Sequence, residues 1–321
     1  MSKSAKIWLV ATSFILIGCI IFGGVMAMLK WDFTKLSTNK YETNNYEINE
    51  DFQSISVVTN TADISFIPSE NSKCSVVCYE QKNVKHSVSV KGDTLVIEVV
   101  DTRKWYEHIS INFSSPKITV YMPQGEYGAL SISSSTGDVK IPKDFQFKSI
   151  DISESTGDIT NGASASEGIK IKTTTGSIRI ESVSAKSLDL SVSTGKVTVS
   201  GASCTDDVTV KVSTGKANLA NIACKNAISR GSTGDISLNN VIAAEKLSIK
   251  RSTGDVKVEG CDAAEILVET DTGDVTGTLL SEKVFIPRTS TGDIDVPKTV
   301  VGGRCEITTD TGDIKLKIAN N

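Results

Sequence analysis

The sequence predicts an all-β protein that folds as a right-handed parallel β-solenoid of about ten coils. Ten of the Thr-Gly pairs between residues 136 and 312 form a series in which successive glycines are 19 or 20 residues apart. A fixed period of this length is typical of repeat architectures. Apolar and polar residues alternate on both sides of each glycine, as they do in strands with one buried face. The repeated glycines are Gly137, Gly157, Gly176, Gly195, Gly215, Gly234, Gly254, Gly273, Gly292 and Gly312.

Each repeat is numbered from its glycine as position zero. Apolar residues at positions −7, −5, +2 and +4 predict two strands, and the change from odd to even positions predicts a corner at the glycine, which adopts positive φ readily. Small residues at +9 predict a second corner. The sixth repeat has Ala227, Ser229 and Gly231 at inward positions, so we expect a weak or kinked coil there. The residues at +9 are Ala185, Cys204, Cys224, Ala243 and Ala263.

An antiparallel arrangement is the alternative fold. Ser-Thr-Gly-Asp could also form a hairpin loop, and two repeats would then build one blade of a five-bladed propeller. The small residues at +9 and the lack of a Trp-Asp blade motif favour the solenoid.

The N-terminus predicts a membrane anchor over residues 1–30. The uncharged run from Ile7 to Leu29 is long enough to cross a bilayer as a helix. Leu16-Ile17-Gly18-Cys19 also resembles a lipobox, so lipidation of Cys19 is an alternative, as is a cleaved signal peptide. All three place the bulk of the chain outside the cytoplasm, and the anchor predicts a single-pass protein with an extracellular C-terminal part.

Three further regions follow the anchor. Residues 31–50 are polar and predict a tether, residues 51–128 predict an irregular β region that caps the solenoid, and residues 129–321 hold the repeats. Thr61-Ala62-Asp63-Ile64 resembles a degenerate repeat phrase within the cap. The cap also contains a mixed basic and aromatic cluster, which predicts either a contact surface or a loop packed on the cap. This cluster consists of Arg103, Trp105, Tyr106 and His108.

Composition and spacing predict no cofactor and no metal site. With 34 Lys and Arg against 38 Asp and Glu, the charge does not favour nucleic acid. The seven cysteines match no zinc or redox spacing. Stacked Cys204 and Cys224 predict buried thiols, with a disulfide as the alternative. The repeats contain no His, Tyr or Trp, so we expect a non-enzymatic protein, with a polysaccharide-processing β-helix enzyme as a remote alternative.

Aspartate follows most of the repeat glycines and would form a stacked column. Such a column could share cations, but turn stabilisation by aspartate is the favoured explanation, because Lys196 and Lys216 interrupt the column. The column consists of Asp138, Asp158, Asp235, Asp255, Asp274, Asp293 and Asp313.

The apolar N-terminus, the Asp51-Phe52-Gln53-Ser54-Ile55 start and the Ser-Thr-Gly-Asp-Ile/Val ladder resemble the bacterial putative-adhesin family. Ser177, Lys196 and Lys216 depart from the ladder. The resemblance implies a right-handed β-helix at the cell surface, in some members linked to envelope stress, and it supplies no catalytic or binding residues.

We therefore expect an anchored extracellular adhesin-like or scaffolding protein, or alternatively an accessory of an envelope-stress or signalling system. The expected partners are the membrane and an unknown envelope protein or glycan. End-to-end self-association is a further expectation, because an open last coil leaves an edge.

Overall fold

A computed structural model of the chain describes residues 2–32, 40–70, 73–104 and 114–319. One helix, α1 (Lys3–Met28), begins the chain; the Ser2 hydroxyl caps it by accepting a hydrogen bond from the Ala5 N–H. This helix is long and apolar enough to cross a membrane, and nearly all its side chains are exposed. By length and composition it fits either the predicted anchor or a signal sequence.

Seven strands form the N-terminal cap. Antiparallel pairs join β1 to β4, β4 to β7 and β5 to β6, while β2 and β3 pair in parallel with strands on either side. The seven strands are β1 (Tyr41–Ile48), β2 (Ser54–Val58), β3 (Asp63–Pro68), β4 (Cys74–Gln81), β5 (Val84–Lys91), β6 (Thr94–Asp101) and β7 (Lys117–Met122).

The predicted tether over residues 31–50 is wrong for its second half. Residues 41–48 form β1, which pairs with β4 over its whole length. Tyr46 packs against the core, and Tyr41 stacks on Tyr79 at a ring separation of 5.0 Å. The polar Asn and Glu residues between the tyrosines concealed an alternating strand pattern, so β1 belongs to the cap.

Fifteen further strands form the rod, and all their pairings within the described residues are parallel. This confirms the parallel solenoid of about ten coils and excludes the antiparallel propeller; the handedness stays a prediction. The strands are β8 (Gly125–Thr136), β9 (Val139–Ile141), β10 (Phe145–Thr156), β11 (Ile159–Asn161), β12 (Ser164–Ala165), β13 (Gly168–Ala185), β14 (Ser187–Cys204), β15 (Val208–Thr233), β16 (Ile236–Lys250), β17 (Val256–Thr272), β18 (Val275–Leu279), β19 (Lys283–Thr291), β20 (Ile294–Asp295), β21 (Gly303–Thr311) and β22 (Ile314–Ile318).

The degenerate phrase in the cap forms a coil beneath the first regular one. Thr61 bridges Thr136 in parallel, and the Asp138 N–H donates to Asp63 Oδ1 over 3.1 Å. Ala62 therefore lies under Gly137. The solenoid thus begins inside the cap, one level before the first Thr-Gly.

The second corner lies at +6 and not at +9 as predicted. Residues with positive φ recur at +6, where asparagine, glycine and serine tolerate the left-handed region better than most residues. The residues at +9 are instead buried in a third short strand face, which explains their small size. The corner residues are Ser182, Gly201, Asn221, Asn240 and Gly260.

The last two coils stack in the reverse of their chain order. Each coil is named here by its glycine. β17 pairs with β21 and not with β19, and β21 in turn pairs with β19. The Gly312 coil is therefore inserted between the Gly273 and Gly292 coils, and residues 283–295 form the free end of the rod. The open edge expected at the C-terminus belongs to the preceding repeat.

The sixth coil is continuous although its inward residues are small. Arg251 of the next coil fills the space that they leave, and its guanidinium donates to the Val212 carbonyl over 3.1 Å. A Cβ built on Gly231 would lie 1.9 Å from Arg251 Nη1. The predicted weakness appears only as an irregular register between Cys224 and Asn226.

Candidate functional site

The repeat glycines have a structural role at the turns of the described rod. All ten have positive φ. A Cβ built on Gly215 would lie 1.7 Å from the Gly195 carbonyl oxygen, and every other repeat glycine meets a neighbouring carbonyl in the same way. Only glycine fits such a close approach of backbone to backbone at positive φ.

The aspartate column is held by coil-to-coil hydrogen bonds. Asp138 Oδ1 accepts the Asp158 N–H over 2.9 Å, and Asp158 Oδ1 accepts the Ser177 N–H over 2.8 Å. The same bond recurs further along the rod, from Asp255 to Asp235 and from Asp274 to Asp255. These carboxylates therefore stabilise the turns as acceptors, without a cation being required.

Position −3 forms an interior column of hydroxyl groups beside these turns. Thr309 donates to the Gly273 carbonyl over 3.1 Å, and Thr289 donates to the Gly312 carbonyl over 3.0 Å. A hydroxyl suits this position because the turn carbonyls around it are acceptors. Buried polar residues in the column are Thr59, Ser134, Glu154, Thr173, Arg251, Thr270 and Thr309.

Glu154 is the one acidic residue in this column. It is only 4% exposed, and neither carboxyl oxygen has a hydrogen-bond partner among the described residues. Burial, with the nearby charges of Asp138, Asp63 and Asp158, raises the pKa of Glu154 to about 8. The neutral carboxylic acid can donate a hydrogen bond, as the threonine hydroxyls of this column do. It is therefore the form of Glu154 that suits this buried position.

A buried network of hydrogen bonds occupies the cap. Glu80 Oε2 lies 2.7 Å from His86 Nδ1 and accepts the His86 backbone N–H over 2.7 Å. Asn44 Nδ2 donates to the other carboxyl oxygen over 2.6 Å. On the far side of the ring, His86 Nε2 lies 2.9 Å from Thr59 Oγ1. The network joins β1, β4, β5 and the first coil.

Cys78 lies beside this network on the same face of β4 as Glu80. One donor atom each from Cys78, Glu80 and His86 lies within 4.8 Å of the other two, and all three residues are buried. Burial, and secondarily the charge of Glu80, raises the pKa of the Cys78 thiol to about 12. Sulfur, nitrogen and oxygen donors therefore meet at one point.

The network borders a cavity of about 290 Å³ between the cap and the first coil. His86 and Thr59 lie on its wall, together with Tyr41 and Arg103. The Tyr41 hydroxyl donates to the Ser114 carbonyl over 2.6 Å. Of the three donor residues, His86 is the one that lines this cavity.

The predicted contact cluster is described only in part. Arg103 lies beside the cavity and forms an ion pair with Asp101 over 2.6 Å. Trp105, Tyr106 and His108 lie outside the described residues. The contact role of the cluster stays a prediction.

The other cysteine predictions have different outcomes. Cys204 and Cys224 are free and buried, so the stacked thiols are confirmed and the disulfide is absent. Burial raises the pKa of Cys204 to about 11 and that of Cys224 to about 12, as expected for unreactive thiols. Cys19 is exposed on α1, and its lipidation stays a prediction.

The sequence prediction missed the cap network and the open end of the rod. Glu80 and His86 meet only because a tight turn joins β4 to β5, and their spacing matches no familiar motif. At the rod's free end, Ile294 is 46% exposed, whereas its counterpart Ile314 in the inserted coil is 0% exposed. One sequence feature could have indicated the cap network: Cys78 and Glu80 lie two residues apart on a predicted strand and therefore share one face.

Comparison with known proteins identifies the family. The family described as Toastrack DUF4097 matches residues 52–206 and again residues 197–321. The chain belongs to the Toastrack DUF4097 family. Both matches lie downstream of α1 and β1, so the shared region is the remainder of the cap and the rod. The resemblance drawn from the Ser-Thr-Gly-Asp ladder is confirmed.

Two solved structures from Parabacteroides distasonis are similar to this chain. A putative adhesin is 12% identical, covering 76% of this Toastrack chain and 98% of its own, with a TM-score of 0.50. A putative lipid binding protein is 16% identical, covering 75% and 95%, with a TM-score of 0.48. Such identities show the fold alone. The curated proteins contain no match to this chain.

Proposed function

We propose that this Toastrack protein is a membrane-anchored, extracellular and non-enzymatic contact protein, adhesin-like or scaffolding, that binds through the free end of its rod. The observation that carries the proposal is the uncapped Gly292 coil. At the opposite end, the antiparallel strands of the cap close the first coil.

The short connection between α1 and β1 supports a position of the cap close to the proposed anchor. Only eight peptide units separate Asp32 from Lys40, and eight residues span at most about 28 Å whatever their conformation. Ten coils at about 4.8 Å each carry the free end about 48 Å further along the rod axis. A contact at that end would therefore lie on the part of the chain most distant from the anchor.

The free end also has the chemistry of a contact surface. Ile294 is 46% exposed, whereas Ile314 at the same position of the inserted coil is 0% exposed, and the nearby Val300 and Val301 are also exposed. β19 pairs only with β21 among the described strands, so its outer edge is open. Pro287 within β19 lacks an N–H and weakens pairing with a further strand, which favours a side-chain contact over extension of the sheet.

Binding of the full chain, displayed on beads, to purified cell envelopes tests the proposal. Ile294→Lys should lower binding at least about tenfold, the loss expected when a charge enters an apolar contact. Ile242→Lys, at an exposed position on the side of the rod, is the matched control and should bind like the wild type. Equal binding by Ile294→Lys, with both variants folded, would reject the free end as the contact site.

A regulatory role is the second candidate, and the cavity in the cap favours it. That cavity lies at the end of the rod nearest the anchor, where a membrane signalling partner would meet the chain. Cross-linking in intact cells separates the two roles. Capture of only membrane-embedded partners, unaffected by Ile294→Lys, would favour regulation and contradict a contact at the free end.

A further inference from the structure

We propose that Cys78, Glu80 and His86 form a binding site for a divalent transition metal of the zinc type. The three residues supply sulfur, oxygen and nitrogen, the donor atoms found in protein zinc sites. Their donor atoms lie within 4.8 Å of one another, and the residues are buried. The site is independent of the proposed contact at the other end of the rod.

The geometry requires only small movements to accommodate the ion. Donor atoms around a tetrahedral zinc ion lie about 3.3–3.8 Å apart, as follows from bond lengths of about 2.0–2.3 Å. His86 Nδ1 and Glu80 Oε2, now 2.7 Å apart, would separate by roughly half an ångström. Cys78 Sγ, which lies within 4.8 Å of both, would approach by at most about 1.5 Å.

Outer hydrogen bonds of the kind that support metal ligands are already in place. Asn44 Nδ2 donates to Glu80 Oε1 and so fixes the carboxylate, while Oε2, which also accepts the His86 backbone N–H, keeps a lone pair for the ion. Thr59 Oγ1 contacts His86 Nε2, and it can accept the ring proton when Nδ1 binds the metal. Partners of this type orient the ligands and raise their basicity. A buried polar network with a purely structural role would not need a thiol beside it, nor a cavity at its border.

The proton balance of binding follows from these contacts. Without metal, the Cys78 sulfur carries its hydrogen, and in the neutral tautomer that lets the ring donate to Glu80 Oε2 the imidazole proton is on Nδ1. On binding, the sulfur–hydrogen bond is replaced by a sulfur–metal bond and one proton leaves through the solvent. The imidazole proton is transferred from Nδ1 to Nε2, so the ring stays neutral. No oxidant or reductant takes part.

The cavity that His86 lines offers a source for a fourth ligand. His86 lies on the wall of the 290 Å³ cavity, which also holds Arg103 and Asn60 at its rim. A water molecule could complete the tetrahedron from there. Three protein ligands with one open position distinguish this site from a closed structural zinc site.

Cobalt(II) titration of the full chain in detergent, after removal of metals with a chelator, tests the proposal. We expect one ion per chain and a thiolate-to-cobalt charge-transfer band that zinc abolishes. Cys78→Ala should remove the band. Cys74→Ala, which removes the buried thiol four residues earlier on the same strand, should retain it. Asn44→Ala should weaken binding by about 10- to 100-fold, the range typical of outer-shell partners.

Failure is equally clear. Absence of a thiolate band in the wild type overturns the proposal, as does a band of equal intensity in Cys78→Ala. If Cys78→Ala does not fold, the wild-type titration and Asn44→Ala still decide, because Asn44 is only partly buried. Zinc should also raise the melting temperature of the wild type and of Cys74→Ala, since it binds the folded state. No shift in either protein contradicts the site.

Discussion

The backbone N–H of Asp293 donates a hydrogen bond of 2.9 Å to Oδ1 of Asp313, a residue that follows it by twenty positions. Elsewhere in the rod the later aspartate donates to the earlier one, as Asp158 does to Asp138. The direction of the hydrogen bond is reversed because the Gly312 coil is inserted between the Gly273 and Gly292 coils. The C-terminal strands are thereby paired on both sides, and the free end is formed by an internal segment.

This insertion predicts an unusual pattern of hydrogen exchange. Amides of residues 303–311 lie between two strands, whereas those of residues 283–291 lie in an edge strand. We expect the former to exchange at least about tenfold more slowly, because edge pairs open at lower free energy. Peptide-resolved exchange monitored by mass spectrometry measures this. Faster exchange in 303–311, as expected of a fraying terminus, would contradict the inserted order.

Gly231→Ala should destabilise the sixth coil. The added Cβ would lie 1.9 Å from Arg251 Nη1 and 2.0 Å from the Val212 carbonyl oxygen. We expect a loss of about 1–3 kcal/mol in the free energy of unfolding, the range typical of overpacking. Denaturant titration monitored by circular dichroism measures it. Gly125→Ala is the control, because its nearest neighbour lies 4.0 Å away at a permitted φ.

The stability of the rod should fall as the pH rises through the range set by Glu154. The pKa of this carboxyl increases from 4.5 in the unfolded chain to about 8 in the fold. Its contribution is therefore complete below pH 4.5 and is lost progressively up to about pH 8, by on the order of 5 kcal/mol. Unfolding titrations across this window should show the loss in the wild type.

Glu154→Gln isolates that contribution. The amide keeps the shape and can donate a hydrogen bond but does not titrate, so the variant should be more stable than the wild type at pH 8 and should lose the dependence. Glu154→Thr restores the residue found in the neighbouring coil at Thr173. Identical pH profiles for Glu154→Gln and the wild type would show that another group is responsible.

Asp158→Ala tests the structural role of the aspartate column. It removes the 2.8 Å hydrogen bond from the Ser177 N–H, so we expect a loss of about 1 kcal/mol. Thermal melting of the variant measures it. Added calcium should leave the melting temperatures of both proteins unchanged, since the carboxylates already have donors. A calcium-dependent rise in the wild type alone would instead indicate an ion column.

The sequence predicted the turns of the rod, but not the order of its last coils or the position of its second corner. Period and alternation located the turns, because Gly137 and its nine counterparts all meet the same backbone contact. They could not order the final coils, since Thr291-Gly292-Asp293 and Thr311-Gly312-Asp313 are equivalent phrases that fit either level. The second corner was misplaced because the buried small residues at +9 resemble corner residues in sequence.

The cap was less predictable than the rod. Its pairings join strands that are distant in the chain, such as β1 with β4, and no repeat fixes their register. The contacts of Glu80 with His86 and of His86 with Thr59 depend on those pairings. Residue types alone therefore could not predict that these donor atoms lie close together. The position of Arg251 was equally hidden, because it depends on how the side chains of neighbouring coils pack.

The most direct test of the central claim is the labelling of Val300→Cys on intact cells with a membrane-impermeant maleimide. Val300 is 88% exposed at the free end of the rod, whereas six of the seven native cysteines are buried and Cys19 lies on α1. An anchored protein with an extracellular free end predicts strong labelling of Val300→Cys without permeabilisation and little labelling of the wild type. Labelling of Val300→Cys only after the cells are lysed would contradict that account.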